Sequence, residues 1–404
     1  MKFYILFLPV AFSCANPNIS KLSYQQLHEE AIVVDTHNDI LTTAFEKNVR
    51  IDSTLKGITH TDIVRLEKGG VDVQIFSVWS DGSQKNPYLY ANRQIDTLYA
   101  WINRNPDKMV LVKTPEELQQ TVSENKLAAM IGLEGGHMIE DNLENLNKLY
   151  ERGVRYMTLT WNNSTSWATS AMDEAHLNPP EGRAFGDSAV RKGLTYFGKQ
   201  VVNRMNELGV MVDVSHVGEQ TFRDVMATVT KPVIASHSSV YTFAPVFRNL
   251  KDEQIRAIGK NGGVIHVNFY SGFLDSNFFR LQTAFLEKHK QERDSLLNSG
   301  RADWITNVLL FEKYADEVQE MRPTLEHMVN HIDYIVKLAG VNHVGLGADY
   351  DGADSFPKQL DDVTTYPLIT KELLKRGYSQ SDIKKILGEN FLRVFKANQQ
   401  NSKL

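Results

Sequence analysis

Short apolar runs rich in β-branched residues alternate along the chain with longer amphipathic stretches. Most of the runs are nearly continuous in apolar character, which is typical of parallel strands covered on both faces. The stretches between them repeat apolar residues every three to four positions, and several end at glycine, as helices do. The runs occupy residues 31–35, 71–79, 127–134, 154–161, 210–216, 232–237, 262–269 and 343–349.

This alternation predicts an α/β fold, a (β/α)8 TIM-type barrel, because that barrel consists of eight successive strand and helix units. An open, doubly wound sheet is the alternative. The segment near 271–320 is too long and too charged for a barrel loop, so we expect an inserted helical segment there. Barrel enzymes collect their functional residues at the carboxyl ends of the strands. The ends of the eight runs are therefore where such residues are expected.

Composition limits the class of protein and of partner. The chain has 404 residues, 42% hydrophobic and 23% charged, so it can bury a sizeable core. We expect a single catalytic domain over residues 25–399. The net charge of −5 and the lack of a long basic run argue against nucleic acid as a partner. A polar small molecule or a peptide fits better, and the oligomeric state stays open, with a homodimer as one arrangement.

Residues 1–14 resemble a secretory signal. A lysine precedes an apolar stretch too short to span a bilayer, and small residues follow before Cys14, the only cysteine of the chain. Cys14 resembles the lipidated cysteine of bacterial lipoproteins, and an ordinary signal peptide with an incidental cysteine is the alternative. We expect an exported protein, anchored through Cys14 on the periplasmic or outer side of a membrane, with residues 15–24 as a short polar tether.

Histidines and carboxylates stand at the ends of five predicted strands. Any one of them has an ordinary structural explanation, such as a hydrogen bond within a turn. Gathered at one mouth of a barrel, three imidazoles and a set of carboxylates suit two zinc-type ions, with one carboxylate between them. Two such ions about 3.5 to 4 Å apart hold a bridging hydroxide and polarise a carbonyl, which is the equipment for hydrolysis. The residues are His37, Asp39, Glu134, His216, His237 and Asp349.

Three further ionisable residues receive structural interpretations. Asp35, at the end of the first run, is expected to support its neighbours rather than to bind a metal. His327 and His331 are four residues apart on a predicted helix, a spacing that can bind a metal. The glutamate of a zinc-protease helix is missing between them, and no strand end is near. We therefore expect both histidines on the helix surface.

The motifs DTHNDI, GLEGGH, DVSHVG, PVIASHSSVY and HVGLGADYDG jointly resemble the membrane (renal) dipeptidases of the amidohydrolase superfamily. The resemblance covers most of the chain. It implies a two-zinc barrel that hydrolyses the peptide bond of dipeptides through a bridging hydroxide, although neighbouring divalent ions also suit these ligands. Carried over to this sequence, His37 and Asp39 would bind one zinc, His216 and His237 would bind the other, and Glu134 would bridge the two.

The resemblance also implies roles around the metals. Asp349 would take the proton of the bridging water and pass it to the leaving amine. Arg248 would grip the terminal carboxylate of the substrate, and a surface ion pair is the alternative for this arginine. The family commonly has Thr-His after the fourth strand, where this chain has Trp161. Because an indole donates one hydrogen bond and carries no charge, Asn162 or Asn163 is expected to supply an amide donor to the substrate.

Three functional hypotheses follow. The leading one is an exported zinc-dependent dipeptidase. The second is another amidohydrolase, acting on a lactone, a cyclic amide or an N-acyl amino acid; many of these bridge their metals with a carboxylated lysine, whereas this sequence offers Glu134. The third is a non-catalytic lipoprotein that binds peptide or metal, a hypothesis suggested by Trp161. Two bound zinc ions without turnover would identify this third case.

Overall fold

The computed structural model describes residues 22–177, 193–301 and 303–400. The strands are β1 Val34–Asn38, β2 Val73–Trp79, β3 Met109–Leu111, β4 Leu127–Glu134, β5 Val154–Thr158, β6 Met211–Asp213, β7 Ile234–Ala235, β8 Val264–Val267 and β9 Val344–Leu346. The first ten α-helices are α1 Tyr24–Glu30, α2 Ile40–Lys47, α3 Ile63–Lys68, α4 Pro87–Arg104, α5 Pro115–Ser123, α6 Leu143–Glu151, α7 Ala171–Leu177, α8 Tyr196–Leu208, α9 Glu219–Thr228 and α10 Asp252–Asn261. The later α-helices are α11 Ser271–Leu274, α12 Ser276–Lys288, α13 Lys290–Asn298, α14 Asp303–Lys313, α15 Ala315–Met321, α16 Leu325–Ala339, α17 Tyr366–Lys375, α18 Gln380–Lys384 and α19 Asn390–Gln399. Short 3₁₀ turns span Gly136–Ile139, Val341–His343 and Val363–Thr365, and a π-helical turn, Lys385–Glu389, joins the last two helices.

Eight of the strands close into a parallel barrel surrounded by helices. Strand β1 pairs with β2 on one side and with β9 on the other. Strand β2 also pairs with β4, and β4 to β9 then follow in sequence order. An open doubly wound sheet would leave two edge strands, whereas here the first and last strands hydrogen-bond to each other. The predicted (β/α)8 barrel is confirmed.

The sheet departs from the sequence prediction in two details. Strand β3 is an additional short strand that pairs only with the first three residues of β4. With three residues, it is shorter than every apolar run identified in the sequence. Strands β6 and β7 span only three and two residues, so His216 and His237 follow their strands in loops. Both loops still leave the same end of the barrel.

Alternate residues along each strand divide into an inner and an outer set, as the pleat of a strand requires. In β4, Ala128 and Met130 belong to the inner cluster, while Ile131 and Leu133 pack in the larger cluster beneath the helices. Aromatic rings of α19 complete the inner cluster beside the first residues of the strands. The amino-terminal end of the barrel is therefore closed by apolar contacts, and the carboxyl end carries the polar residues.

The segment between β8 and α16 forms the predicted helical insertion. Helices α11 to α15 occupy it. This insertion has a small core of its own, separate from the barrel core, and its buried members are Phe278, Phe285, Leu310, Phe311, Val318 and Met321. A chain segment with its own apolar core is a folded unit rather than a long loop.

The predicted export signal, residues 1–14, and most of the predicted tether lie outside the described part of the chain. Tyr24, the last tether residue, begins α1, which Ser23 caps by accepting a hydrogen bond from the Gln26 amide at 3.2 Å. Among the described helices, none is both long and apolar enough to cross a membrane. The lipidation of Cys14 stays a prediction.

The expectation that His331 lies on a helix surface is wrong. The residue is fully buried in α16, where its Nδ1 accepts the Val240 amide at 2.9 Å and its Nε2 lies 3.0 Å from the Leu274 carbonyl oxygen. His327, one turn earlier, is half-buried, and its Nδ1 lies 3.2 Å from the Thr324 amide nitrogen. The helix was predicted correctly, but the segments after β7 and β8 that cover this face come from distant parts of the chain.

We expect His331 to make stability pH-dependent. Burial lowers the pKa of this ring to about 4, against 6.5 in an unfolded chain. Because the unfolded chain takes up the proton first, stability is complete above about pH 6.5 and falls as the pH drops towards about 4. In chelator-treated protein, the loss between about pH 7 and 4.5 should be about 2 kcal/mol larger for the wild type than for His331→Gln, as measured by urea unfolding. Equal losses in the two proteins would contradict this assignment.

Candidate metal centre

Strand ends bring the predicted ligands to one place at the carboxyl end of the barrel. His37 lies in β1, and Glu134 is the last residue of β4. His216 follows β6, and His237 follows β7. Asp39 occupies the N-cap position of α2, yet its side chain makes no capping hydrogen bond. Its carboxylate is therefore free to face the barrel mouth beside His37.

Glu134 lies among the three histidines. Its Oε2 is 3.3 Å from His37 Nε2, and its Oε1 is 2.9 Å from His216 Nε2 and 3.5 Å from His237 Nε2. The side chain is 6% exposed, so water screens these groups little. The two oxygens of one carboxylate thus face different imidazoles, which is the arrangement expected of a ligand shared by two ions.

A second group of ligands lies on the His37 side. His37 Nε2 is 3.3 Å from Asp39 Oδ2. Ligand atoms of His37, Asp39 and Asp349 lie within 4.8 Å of one another, and so do those of His37, Glu134 and His237. His37 belongs to both groups, so the two clusters are adjacent.

The partners of the ring nitrogens fix which nitrogen of each histidine carries hydrogen. His237 Nδ1 lies 2.7 Å from Ser236 Oγ, and that hydroxyl donates to Asp213 Oδ2 at 2.6 Å. The Ser236 oxygen must therefore accept from His237 Nδ1–H, which leaves a lone pair on Nε2. His216 Nδ1 lies 3.1 Å from the amide oxygen of Asn162 and donates in the same way.

Two neutral lone pairs then face each other, since His216 Nε2 and His237 Nε2 are 3.0 Å apart. Burial lowers the pKa of His216 to about 3 and that of His237 well below its usual range, so neither ring relieves the repulsion by taking a proton. His37 Nε2 is buried and makes no hydrogen bond. Facing lone pairs beside a carboxylate are stabilised by a cation, so these residues fit a metal site.

The electrostatics of the cluster also favour positive charge. Burial raises the pKa of Glu134, but the charge of protonated His37 and the close contacts with the His216 and His237 rings outweigh burial and hold that pKa well below its usual range. Ser77 Oγ donates to the same carboxylate at 3.2 Å. Glu134 is therefore an anion at neutral pH.

Asp349 has the opposite character. Burial raises its pKa to about 8, and the negative charges of Asp39 and Glu134 act in the same direction against the charge of His37. Asn268 Nδ2 donates to Asp349 Oδ2 at 2.9 Å and orients the carboxyl group. A buried carboxyl group with a raised pKa beside a metal site can accept and return a proton near neutral pH.

The backbone is strained at two of these positions. His216 and Asp349 both have φ of 65°, in the left-handed region that favours glycine. Such residues persist when surrounding contacts hold them there, and they cluster at functional sites. This backbone conformation directs the two side chains into the mouth shortly after their strands end.

Arg248 lies in the loop after β7 and is 5% exposed, so the surface ion-pair interpretation does not hold. Its guanidinium donates long hydrogen bonds to the His237 carbonyl and to Ser238 Oγ, at 3.3 and 3.5 Å, and packs 5.4 Å from the centre of the Phe273 ring. Burial lowers its pKa to about 10, so it remains charged at neutral pH. In the described part of the chain, no carboxylate forms an ion pair with it, which leaves charge available to a ligand.

Trp161 and Asn162 follow β5 at the same mouth. The Trp161 ring meets Trp79 edge-on at 5.1 Å between centroids and lies 6.4 Å from the His216 ring. Asn162 was predicted to contact substrate, which stays a prediction. Its side-chain oxygen accepts a hydrogen bond from His216 Nδ1. Asp35 has the supporting role expected, because its Oδ1 accepts the amides of His37 and Ala348 at 3.2 and 2.9 Å.

Sequence reasoning missed the groups that orient the ligands. Asp213 accepts hydrogen bonds from Ser236 and from Thr158 Oγ1, the latter at 2.5 Å, inside the barrel. Tyr156 lies beside His37. These are polar side chains at inward positions of otherwise apolar strands, and that signal could have identified them.

Solved structures of similar fold include the probable dipeptidase PvdM from Pseudomonas aeruginosa. It matches with a TM-score of 0.72 and 24% identity, over 94% of this chain and 98% of that one. A metallopeptidase from Rhodobacter sphaeroides, solved with a phosphinate mimic of the dipeptide L-Ala-D-Ala, matches with a TM-score of 0.72 and 21% identity, over 91% and 100% of the two chains. At these identities the likeness shows the fold.

The family is shown by the sequence itself. The sequence model of the membrane dipeptidases, peptidase family M19, matches residues 22–404. This match spans nearly the whole chain and all the residues of the metal centre, and it confirms the resemblance drawn from the motifs. The chain therefore belongs to the membrane dipeptidase family, peptidase family M19, and is a metallo-dipeptidase.

Proposed function

We propose that the protein hydrolyses dipeptides with two zinc ions held at the barrel mouth. His37 and Asp39 would hold one ion, His216 and His237 the other, and Glu134 both. The observation that carries this proposal is the convergence of three imidazole Nε2 atoms on the two oxygens of Glu134. Imidazole and carboxylate ligands suit zinc, and neighbouring divalent ions compete for the same donors.

The chain's own residues supply the rest of the chemistry. When bound, two divalent ions would lower the pKa of a water and polarise the peptide carbonyl. Asp349 accepts a proton from the attacking water and passes it to the amine that leaves when the C–N bond breaks. The raised pKa of Asp349 suits this exchange near neutral pH.

We propose that Arg248 binds the free carboxyl terminus of short peptides and so makes them substrates. Its guanidinium is buried, and no carboxylate of the described residues pairs with it, so a carboxylate entering the mouth would gain a charge-assisted contact. The Rhodobacter sphaeroides neighbour was solved with a mimic of L-Ala-D-Ala, which supports a dipeptide substrate and makes a D-residue at the carboxyl end a candidate.

Trp161 departs from the family pattern on one side of the barrel mouth. Where the family commonly has a histidine, the indole offers one neutral donor, and it packs against Trp79. We propose that Trp161 forms an apolar wall for the substrate. Export and anchoring through Cys14, proposed from the sequence, concern residues 1–21 and do not affect this chemistry.

The direct test is cleavage of a panel of L,L and L,D dipeptides before and after chelation. Zinc-loaded protein should cleave at least one of them, chelator should abolish cleavage, and added zinc should restore it, because the ligand cluster holds the ions. Amine release and metal content measured on the same samples provide the readouts. Two bound zinc ions with no turnover of any dipeptide would contradict the proposal.

Replacing Asp349 by asparagine should remove the proton acceptor while keeping the size of the side chain. We expect kcat to fall on the order of 10²- to 10⁴-fold, with two zinc ions still bound. The matched control is Asp72→Asn, because Asp72 is another carboxyl group whose pKa burial raises to about 6, hydrogen-bonded to the Val33 amide before β1. A loss of zinc from Asp349→Asn would instead make Asp349 a ligand.

Replacing Arg248 by lysine should keep the charge and lose the planar fork. We expect KM for a dipeptide to rise about 10- to 100-fold with a smaller change in kcat. A dipeptide with an amidated carboxyl terminus should be affected much less. Arg155→Lys is the control, because the buried Arg155 donates to the Lys113 and Tyr150 carbonyls away from the mouth. Equal effects on the free and the amidated dipeptide would show that Arg248 does not bind the carboxylate.

A further inference from the structure

Tyr156 crosses the interior of the barrel from β5 towards β1. In the sheet register it stands opposite Gly132 of β4. A Cβ atom at Gly132 would lie 2.0 Å from Cζ of the Tyr156 ring, so any other residue there would collide with the phenol. The glycine in the middle of a strand makes room for this ring, which explains why a residue that weakens strands occurs there.

The Tyr156 hydroxyl ends between two polar groups of β1. It lies 2.9 Å from His37 Nδ1 and 3.1 Å from the Thr36 carbonyl oxygen. A carbonyl oxygen only accepts hydrogen bonds, so the single hydroxyl hydrogen goes to Thr36. The Tyr156 oxygen must then accept from His37 Nδ1–H, which leaves Nε2 as the nitrogen that faces Glu134 and Asp39.

Both side chains lie in the interior of the barrel. Tyr156 and His37 have no exposed surface. Solvent therefore does not compete for the hydrogen bonds that the hydroxyl makes with His37 and with the Thr36 carbonyl.

We propose that Tyr156 is a positioning residue that fixes the ring of His37 with its Nε2 lone pair directed at the metal centre, and that Gly132 is its structural counterpart. This inference rests on the proposed role of His37 as a metal ligand. Histidine ligands are commonly oriented by a partner on their other nitrogen, and loss of such a partner typically weakens metal binding 10- to 100-fold.

The other two histidines do not depend on Tyr156. His237 donates a hydrogen bond to Ser236, which in turn donates to the carboxylate of Asp213. His216 donates to the side-chain oxygen of Asn162. The hydroxyl of Tyr156 contacts only the β1 side of the centre. Its removal should therefore weaken one metal position and leave the other unchanged.

The test is zinc binding to Tyr156→Phe, followed by competition with a chromophoric chelator. Phenylalanine retains the ring over Gly132 and removes only the hydroxyl. We expect two zinc ions in the wild type, with one of the two affinities in the variant weaker by about 10- to 100-fold. Tyr99→Phe is the matched control, because Tyr99 donates to the Arg152 carbonyl on the outside of the barrel and should bind zinc as the wild type does.

A variant with two unchanged zinc affinities would overturn this inference while leaving the proposed function intact. A wild type that binds no zinc would overturn both. If Tyr156→Phe does not fold, histidine-labelled, zinc-loaded wild type gives the answer by NMR. A slowly exchanging Nδ1 proton of His37 close to the Tyr156 ring protons is the expected result, and a His37 ring protonated on Nε2 instead would contradict it.

Discussion

The structure depends on one electrostatic constraint, the meeting of three buried imidazoles with the carboxylate of Glu134. His216 Nε2 and His237 Nε2 are 3.0 Å apart, and both rings are neutral. Water cannot relieve such an arrangement because the groups are buried, so a cation must offset it. The hydrogen bonds that the Nδ1–H groups donate to a phenol oxygen, a serine oxygen and an amide oxygen orient the three rings.

Because the barrel closes, these polar groups gather at one end of an otherwise apolar core. Residues distant in sequence meet because every strand points its carboxyl end at the same mouth, while α19 fills the other end with aromatic rings. The left-handed backbone at His216 and Asp349 is a local cost that the neighbouring strands and loops hold in place. The ligands lie on the strands and in the loops that leave them, and Arg248 and Trp161 lie on loops at the same mouth.

Much of this was readable from the sequence, since strands of a parallel barrel are apolar on both faces and end in polar residues. The eight strands, the insertion and the predicted ligands at one mouth followed from that pattern. Strand β3 was missed because it is three residues long. His331 was misplaced because burial of a helix face depends on loops from elsewhere in the chain. Tyr156 was missed because its polar side chain in an apolar strand was not examined, and its partner on β1 lies far away in the sequence.

The most direct measurement is anomalous X-ray scattering at the zinc edge from crystals of the zinc-loaded protein. We expect two peaks about 3.5 to 4 Å apart. One peak should contact His37 and Asp39, the other should contact His216 and His237, and both should contact Glu134. A single peak, or two peaks that do not share Glu134, would contradict this two-ion site.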